Sequence, residues 1–381
     1  MEFINDIILF VFAIVAVIIN GVPPLIYAES RGFAIKPAGF AFLIGGLGNT
    51  FLGSVTPISA QAETITVASI SKNLRNNISS LLLAALLMTG VALFGGINWI
   101  ANFAGDTVIW GMMSGIGLIL AGVSWDMLGQ EKRITLISII TAVAAYTFFI
   151  DNPNRVVWTI FISVLTPTID YLFFQRRRVN VDNTIEEGRE PLQLSNEWRF
   201  WKKLYWQEFR LIKPTINATV IMGALSISML NVGANISFGT ITADIAGTTQ
   251  NFDHLTLVNA LSNIPSAIFG GPPIEAIISG TAAAPWPILS GIVFMLVMGF
   301  LVLLGLVGRV GRYIPAQSIA GFLLVIGFLL TFVPNLSAVA NSDQPLDGFV
   351  AMGVTTWSKN PFLGMVVGIT MRYLGLFSGL M

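Results

Sequence analysis

Apolar residues run along this chain in blocks of about twenty, each closed by charges or by a cluster of Pro, Gly and Asn. Blocks of that length match helices crossing a hydrocarbon core about 30 Å thick at about 1.5 Å per residue. The pattern predicts about fourteen segments. In the first half they are 7–28, 37–53, a short one at 57–71, 78–103, 107–126, 134–150 and 155–174. In the second half they are 215–235, 254–269, another short one at 273–284, 287–308, 313–333, 345–357 and 361–379. The expected fold is therefore an all-α polytopic membrane protein. A transmembrane barrel would need alternating strands of about ten residues, and none is found.

Composition agrees and narrows the chemistry. Of 381 residues, 54% are hydrophobic and 10% charged, with a mean hydropathy of +0.77, outside the range of water-soluble domains. The opening MEFINDIILFVFAIVAVIIN lacks a basic stretch and a small-residue cleavage site, and reads as a retained first helix. Zero net charge points to no nucleic-acid partner. The absence of cysteine excludes thiol chemistry. With His254 as the single histidine and no G-x-x-x-x-G-K-[ST] pattern, neither a metal centre nor any other cofactor is expected. No nucleophile, base and orienting group suggest an enzyme.

Residues 175–213 form the one long polar segment, separating a first repeat at 1–174 from a second at 214–381. The segment opens on Arg176, Arg177 and Arg178 and closes on NEWRFWKKLYWQEFRLIKP. That mixture of aromatic and basic residues predicts an amphipathic helix in the headgroup layer. Lys and Arg collect after odd-numbered segments, at Arg31, Lys36, Lys72, Arg75, Lys132, Arg133, 176–213, Arg309, Arg312 and Lys359. The alternate loops carry Asp106, Asp151, Asp244, Asp343 and Asp347. The positive-inside bias then places the linker in the cytoplasm and both termini outside the plasma membrane. Asp170 and Arg372 are expected near an interface.

The two halves resemble each other. GNTFLGSVTPISAQAETITVA (48–68) parallels SNIPSAIFGGPPIEAIISGTA (262–282), and AGDTVIWGMMSGIGLILAG (104–122) parallels VGRYIPAQSIAGFLLVIG (310–327). Seven segments per half would invert the second copy in the membrane. Helix breaks at matching places leave backbone donors and acceptors free near the midplane, where transporters hold their solutes. Pro57 marks one break and Pro272 and Pro273 the other; Pro57 and Pro273 are expected to begin two half-helices.

Glu275 follows directly. A carboxylate at the centre of a membrane helix costs about 2.5–3.5 kcal/mol on insertion scales, which a half-helix N-terminus would offset in part. It could bind a solute's N–H groups, carry a coupling proton, or only cap its own helix. Gln61 and Glu63 on the first fragment are further ligand candidates, Glu63 also for proton coupling. Asn20, Asn231 and Asn235 could line the cavity or merely bond neighbouring helices. SGIGLILAG (114–122) is expected to serve helix packing rather than dinucleotide binding, as no strand precedes it.

Two stretches, WIANFAGDTVIWGMMSGIGLILAG (99–122) and LVNALSNIPSAIFGGPPIEAIISGTAA (257–283), resemble the adenine/guanine/hypoxanthine permeases, a branch of the nucleobase/ascorbate transporters. The resemblance covers most of the chain outside 175–213. It implies fourteen helices in two inverted seven-segment repeats, a core domain rocking against a gate domain, and often a homodimer. It also implies a solute held between the two half-helices and the eighth segment, with an acid on the eighth and a glutamate on the tenth. This chain departs at both places: there is no acid around Asn231 and Asn235, and Ser279 stands where the glutamate is expected, one turn after Glu275. The function expected is proton-coupled symport of a nucleobase or similar small polar solute. Glu275, Glu63, Gln61, Asn231, Asn235, Ser279 and Asn20 would be its ligands, and Glu275 and Glu63 its proton carriers. An anion carrier of sulfate-permease-like fold and a non-transporting scaffold or sensor are the alternatives.

Overall fold

The computed structural model describes residues 2–69, 71–152, 155–175, 209, 211–307 and 315–378. The headgroup helix expected within 175–213 lies almost wholly outside these residues. The first half contains α1 (Glu2–Ser30), α2 (Ala38–Leu52), β1 (Ile58–Ser59), α3 (Ala62–Ala68), α4 (Leu74–Leu93), α5 (Gly96–Ala104), α6 (Asp106–Gln130), α7 (Lys132–Phe148) and α8 (Arg155–Asp170). The second contains α9 (Ala218–Ala246), α10 (Phe252–Ile268), β2 (Glu275–Ala276), a 3-10 turn (Gly280–Ala283) and α11 (Pro287–Leu303). It continues with a long composite helix and a final pair. The composite runs from α12 (Ala320–Leu324) through a π-helical stretch (Val325–Phe332) into α13 (Val333–Ala340); the pair is α14 (Pro345–Ser358) and α15 (Pro361–Ser378).

Among the described residues six helical stretches are long and apolar enough to cross a membrane, and three shorter apolar helices accompany them. The expected block 313–333 runs on to Ala340, and two further segments have different bounds. The block 78–103 is two helices, because Gly95 takes a left-handed backbone (φ 72°) and ends α4. Asp253 then receives the first N–H groups of α5, from Ile97 at 2.8 Å and Asn98 at 3.2 Å. The block 215–235 belongs to a helix that runs on to Ala246 and stops at Gly247 (φ 63°). Side-chain caps start several helices: Asn73 accepts from Arg75 N, Asn217 from Val220 N and Asn251 from His254 N. Asn251→Ala is expected to lower stability by about 1 kcal/mol, read as a lower melting temperature in detergent.

The helices pack in two groups, each drawing on both halves of the sequence. In one, α4 lies against α9 and α10, and α2 lies against α10 and α11. In the other, α6 lies against α14 and the π-helical stretch, α7 against α8, and α14 against α15. Two of the three glycines in 114–122 serve helix packing: a Cβ at Gly117 would come within 2.5 Å of the Gly327 carbonyl oxygen and one at Gly115 within 2.8 Å of the Met352 carbonyl oxygen, whereas Gly122 has nothing within 4 Å. The groups meet where α1 touches α8 and where α9 touches α15. Between them lie the two short broken fragments.

Candidate functional site

The fragments are joined to each other. β1 and β2 pair antiparallel, with Ile58 opposite Ala276 and Ser59 opposite Glu275. Ile277 N also donates to Pro57 O at 3.0 Å. This corrects the expectation that Pro57 and Pro273 begin half-helices. Each proline leads into extended backbone; helix resumes at Ala62 in the first fragment and only as the 3-10 turn at Gly280 in the second. The reason is local bonding. Extended backbone inside a bilayer is tolerable only if its polar groups find partners within the protein, and two short strands supply them to each other. Glu275 accordingly sits on a strand and not at the start of a helix of its own. Only 2% exposed, it accepts a hydrogen bond from Thr64 Oγ1 of α3, in the opposite fragment.

Asparagines hold the extended stretches in place. Asn263 of α10 brackets Ile274, the residue before β2: its Nδ2 donates to Ile274 O at 2.6 Å, and its Oδ1 accepts from Ile274 N at 2.8 Å. Its Nδ2 also donates to Asn259 Oδ1 at 2.9 Å, Asn259 Nδ2 donates to Asn235 Oδ1 at 3.2 Å, and Asn235 Nδ2 donates to Thr256 Oγ1 at 2.9 Å. In the first half Asn49 of α2 plays a looser version of the same part, donating to Ser54 O at 3.2 Å and Thr56 O at 3.4 Å. Asn49 and Asn263 each hold the second place in the two similar stretches, 48–68 and 262–282.

A cavity of about 210 Å³ opens between the two helix groups. Its polar wall is Asn20 of α1, Ser59 and Gln61 of the first fragment, and Glu275 of the second. Its apolar wall is Ile116, Leu120 and Val123 of α6 with Phe322 and Ile326 of the composite helix. Exposure rises from one end to the other. Ser59, Glu275 and Ile116 form a buried floor, and Ala62, Met127 and Lys359 a more open mouth. Ser59 Oγ is buried without a hydrogen-bond partner among the described residues.

The structure thus brings Glu275, Gln61 and Asn20 to one cavity. Glu63 belongs to α3 beside them, and its side chain lies outside the described residues. The other candidates stand elsewhere. Asn235 is 0% exposed and joins α9 to α10, the plainer of its two expected roles. Asn231 is buried off the cavity wall. Ser279 caps the 3-10 turn, accepting from Thr281 N at 3.2 Å. Pro272 O accepts from Ser266 Oγ at 2.8 Å, which fixes the bend after α10. Residue-by-residue reading of the sequence passed over Ser59, Thr64, Asn263 and Lys359. Only Asn263 left a signal, the i, i+4 pair with Asn259 in an otherwise apolar helix.

No protein family and no curated protein matches this chain. Solved structures do. The overall structure of SLC26A9 superposes with a TM-score of 0.51 at 14% identity, over 97% of this chain and 65% of that one. The transmembrane domain of a cyanobacterium bicarbonate transporter, BicA, gives 0.49 at 16% identity over 93% and 96%. The murine Slc26a9 anion transporter in the inward-facing state gives 0.45 at 15% over 94% and 68%. This chain therefore spans about two thirds of the SLC26A9 chain, and the nucleobase branch is not singled out. At such identity the likeness is one of fold: the chain is an all-α polytopic integral membrane protein with the fold seen in SLC26A9.

Proposed function

We propose that this chain is a secondary transporter, not an enzyme, that carries a small anion together with a proton by exposing one central site alternately to the two sides. One observation carries the reading: a single cavity between the two helix groups has Glu275 on its buried floor and Lys359 at its exposed mouth. Asn20, Ser59 and Gln61 offer donors to a small polar solute, and the facing apolar wall suits closure over it. An anion about 4 Å from an ionised Glu275 would be repelled by about 4 kcal/mol at an effective dielectric of about 20. A proton on Glu275 removes that repulsion. Proton and anion then favour each other's binding and cross together. The likeness in fold to SLC26A9, a protein whose murine form is described as an anion transporter, supports an anion over a nucleobase.

The same reading keeps two inverted repeats at 1–174 and 214–381, a cytoplasmic linker, and termini outside the plasma membrane. Its cavity then opens to the cytoplasm. Its partners are the anion, the proton and the bilayer, and the family resemblance adds a homodimer. The test is uptake into liposomes holding the purified protein, with chloride, bicarbonate and sulfate set against adenine, hypoxanthine and uracil. Anion uptake that quickens under an inward proton gradient is the expected result. Uptake of a nucleobase alone would overturn the anion assignment, and no uptake of any solute would leave the scaffold alternative standing.

A further inference from the structure

Lys359 is the one residue other than glycine with a left-handed backbone among the described residues, at φ 53° and ψ 30°. It ends α14 and, with Asn360, makes the two-residue turn into α15. Helices often end on a left-handed residue, but glycine or asparagine usually fills the place, because a larger L side chain crowds its own backbone there. Asparagine is in fact the next residue, and it is used otherwise: its Oδ1 accepts from Leu363 N at 3.2 Å and starts α15. The turn itself makes no use of the lysine side chain. Among the described residues the ammonium has neither a hydrogen-bond nor an ion-pair partner.

Lys359 lines the cavity at its exposed end, as does buried Pro361. The turn is held there from the other helix group: a Cβ on Gly233 of α9 would come within 2.5 Å of the Phe362 backbone nitrogen. Glu275, the other charge on the wall, is on the floor and forms no ion pair with it. Of the described residues that line the cavity, Lys359 alone is cationic.

We propose that Lys359 is the specificity-determining residue at the mouth, kept in a strained backbone because its ammonium draws small anions into the cavity and turns cations away. This rests on the anion-carrier reading. A point charge at a low-dielectric mouth raises the local concentration of its counter-ion and so acts on capture rather than on turnover. Lys359→Gly, Lys359→Gln and Lys359→Arg separate charge from strain.

The measurement is initial uptake of chloride, bicarbonate and sulfate into liposomes at two ionic strengths, with melting temperature in detergent alongside. Lys359→Gly and Lys359→Gln are expected to raise KM about 10-fold with maximal rate held within about twofold, and to flatten its dependence on ionic strength. Lys359→Arg should stay within about twofold of the parent KM. Lys359→Gly should also melt higher, since glycine relieves the left-handed strain. Parent protein that carries an anion while Lys359→Gly keeps the parent KM would overturn this inference alone. Parent protein that carries none of the three anions would overturn it together with the anion-carrier reading.

Discussion

Glu275→Gln is expected to leave a folded protein whose proton-driven anion uptake falls about 100-fold, equivalent to about 2.7 kcal/mol on the barrier. Glutamine keeps the volume of the side chain and an oxygen that can still accept from Thr64 Oγ1. It cannot take up or release a proton. Without that exchange the carrier loses its link to the gradient, whereas anion-for-anion exchange across the membrane should persist. Glu275→Ala separates the two roles from the other direction. It leaves the Thr64 hydroxyl buried without its acceptor, a loss of about 1–3 kcal/mol, and should lower the melting temperature as well as transport. Both variants are read in one liposome assay with and without a pH difference. Accumulation by the glutamine variant equal to the parent's would remove Glu275 from coupling.

What could be seen in the sequence depended on the range of the forces involved. Long helices announce themselves because about twenty apolar residues in a row have one stable arrangement in lipid. Glu275 stood out for the same reason, as a lone acid in an apolar stretch. Its setting did not. A two-residue strand has no measurable period, and its partner lies in the other half of the chain, so Pro57 and Pro273 looked like helix starts when they lead into paired strands. The break at Gly95 left only a weak mark, the Gly95-Gly96 pair inside an apolar block without a charge, and the left-handed backbone of Gly95 ends the helix there. Asn235 is a case of two readings that composition cannot separate. A buried asparagine in a membrane helix can face a cavity or a neighbouring helix, and here it bonds Thr256 and Asn259. Lys359 looked like one more loop cation, because its place on a cavity wall follows from packing across the two groups.

Asn263→Ala should destabilise the protein by about 2–5 kcal/mol, more than any other single asparagine in this region. The substitution removes both bonds to Ile274 and leaves its N–H and C=O without those partners in a residue 1% exposed. Each such group left unpartnered costs about 1–3 kcal/mol. Asn49→Ala is the internal comparison. Its bonds, at 3.2 and 3.4 Å, are longer and come from one amide nitrogen to two carbonyls, with no backbone N–H left behind, so its loss should be smaller. Thermal unfolding of the two variants in detergent therefore ranks them, Asn263→Ala melting lower. Because Ile274 immediately precedes Glu275, loosening it also frees the carboxylate from its register opposite Ser59. Asn263→Ala should then weaken anion uptake in the fraction that remains folded, while Asn251→Ala, which removes the cap of α10 and an acceptor for Asn98 Nδ2 but no bond to the cavity wall, lowers stability and leaves uptake per folded molecule unchanged. Equal uptake per folded molecule in both variants would show that the bracket around Ile274 supports the fold without positioning the carboxylate.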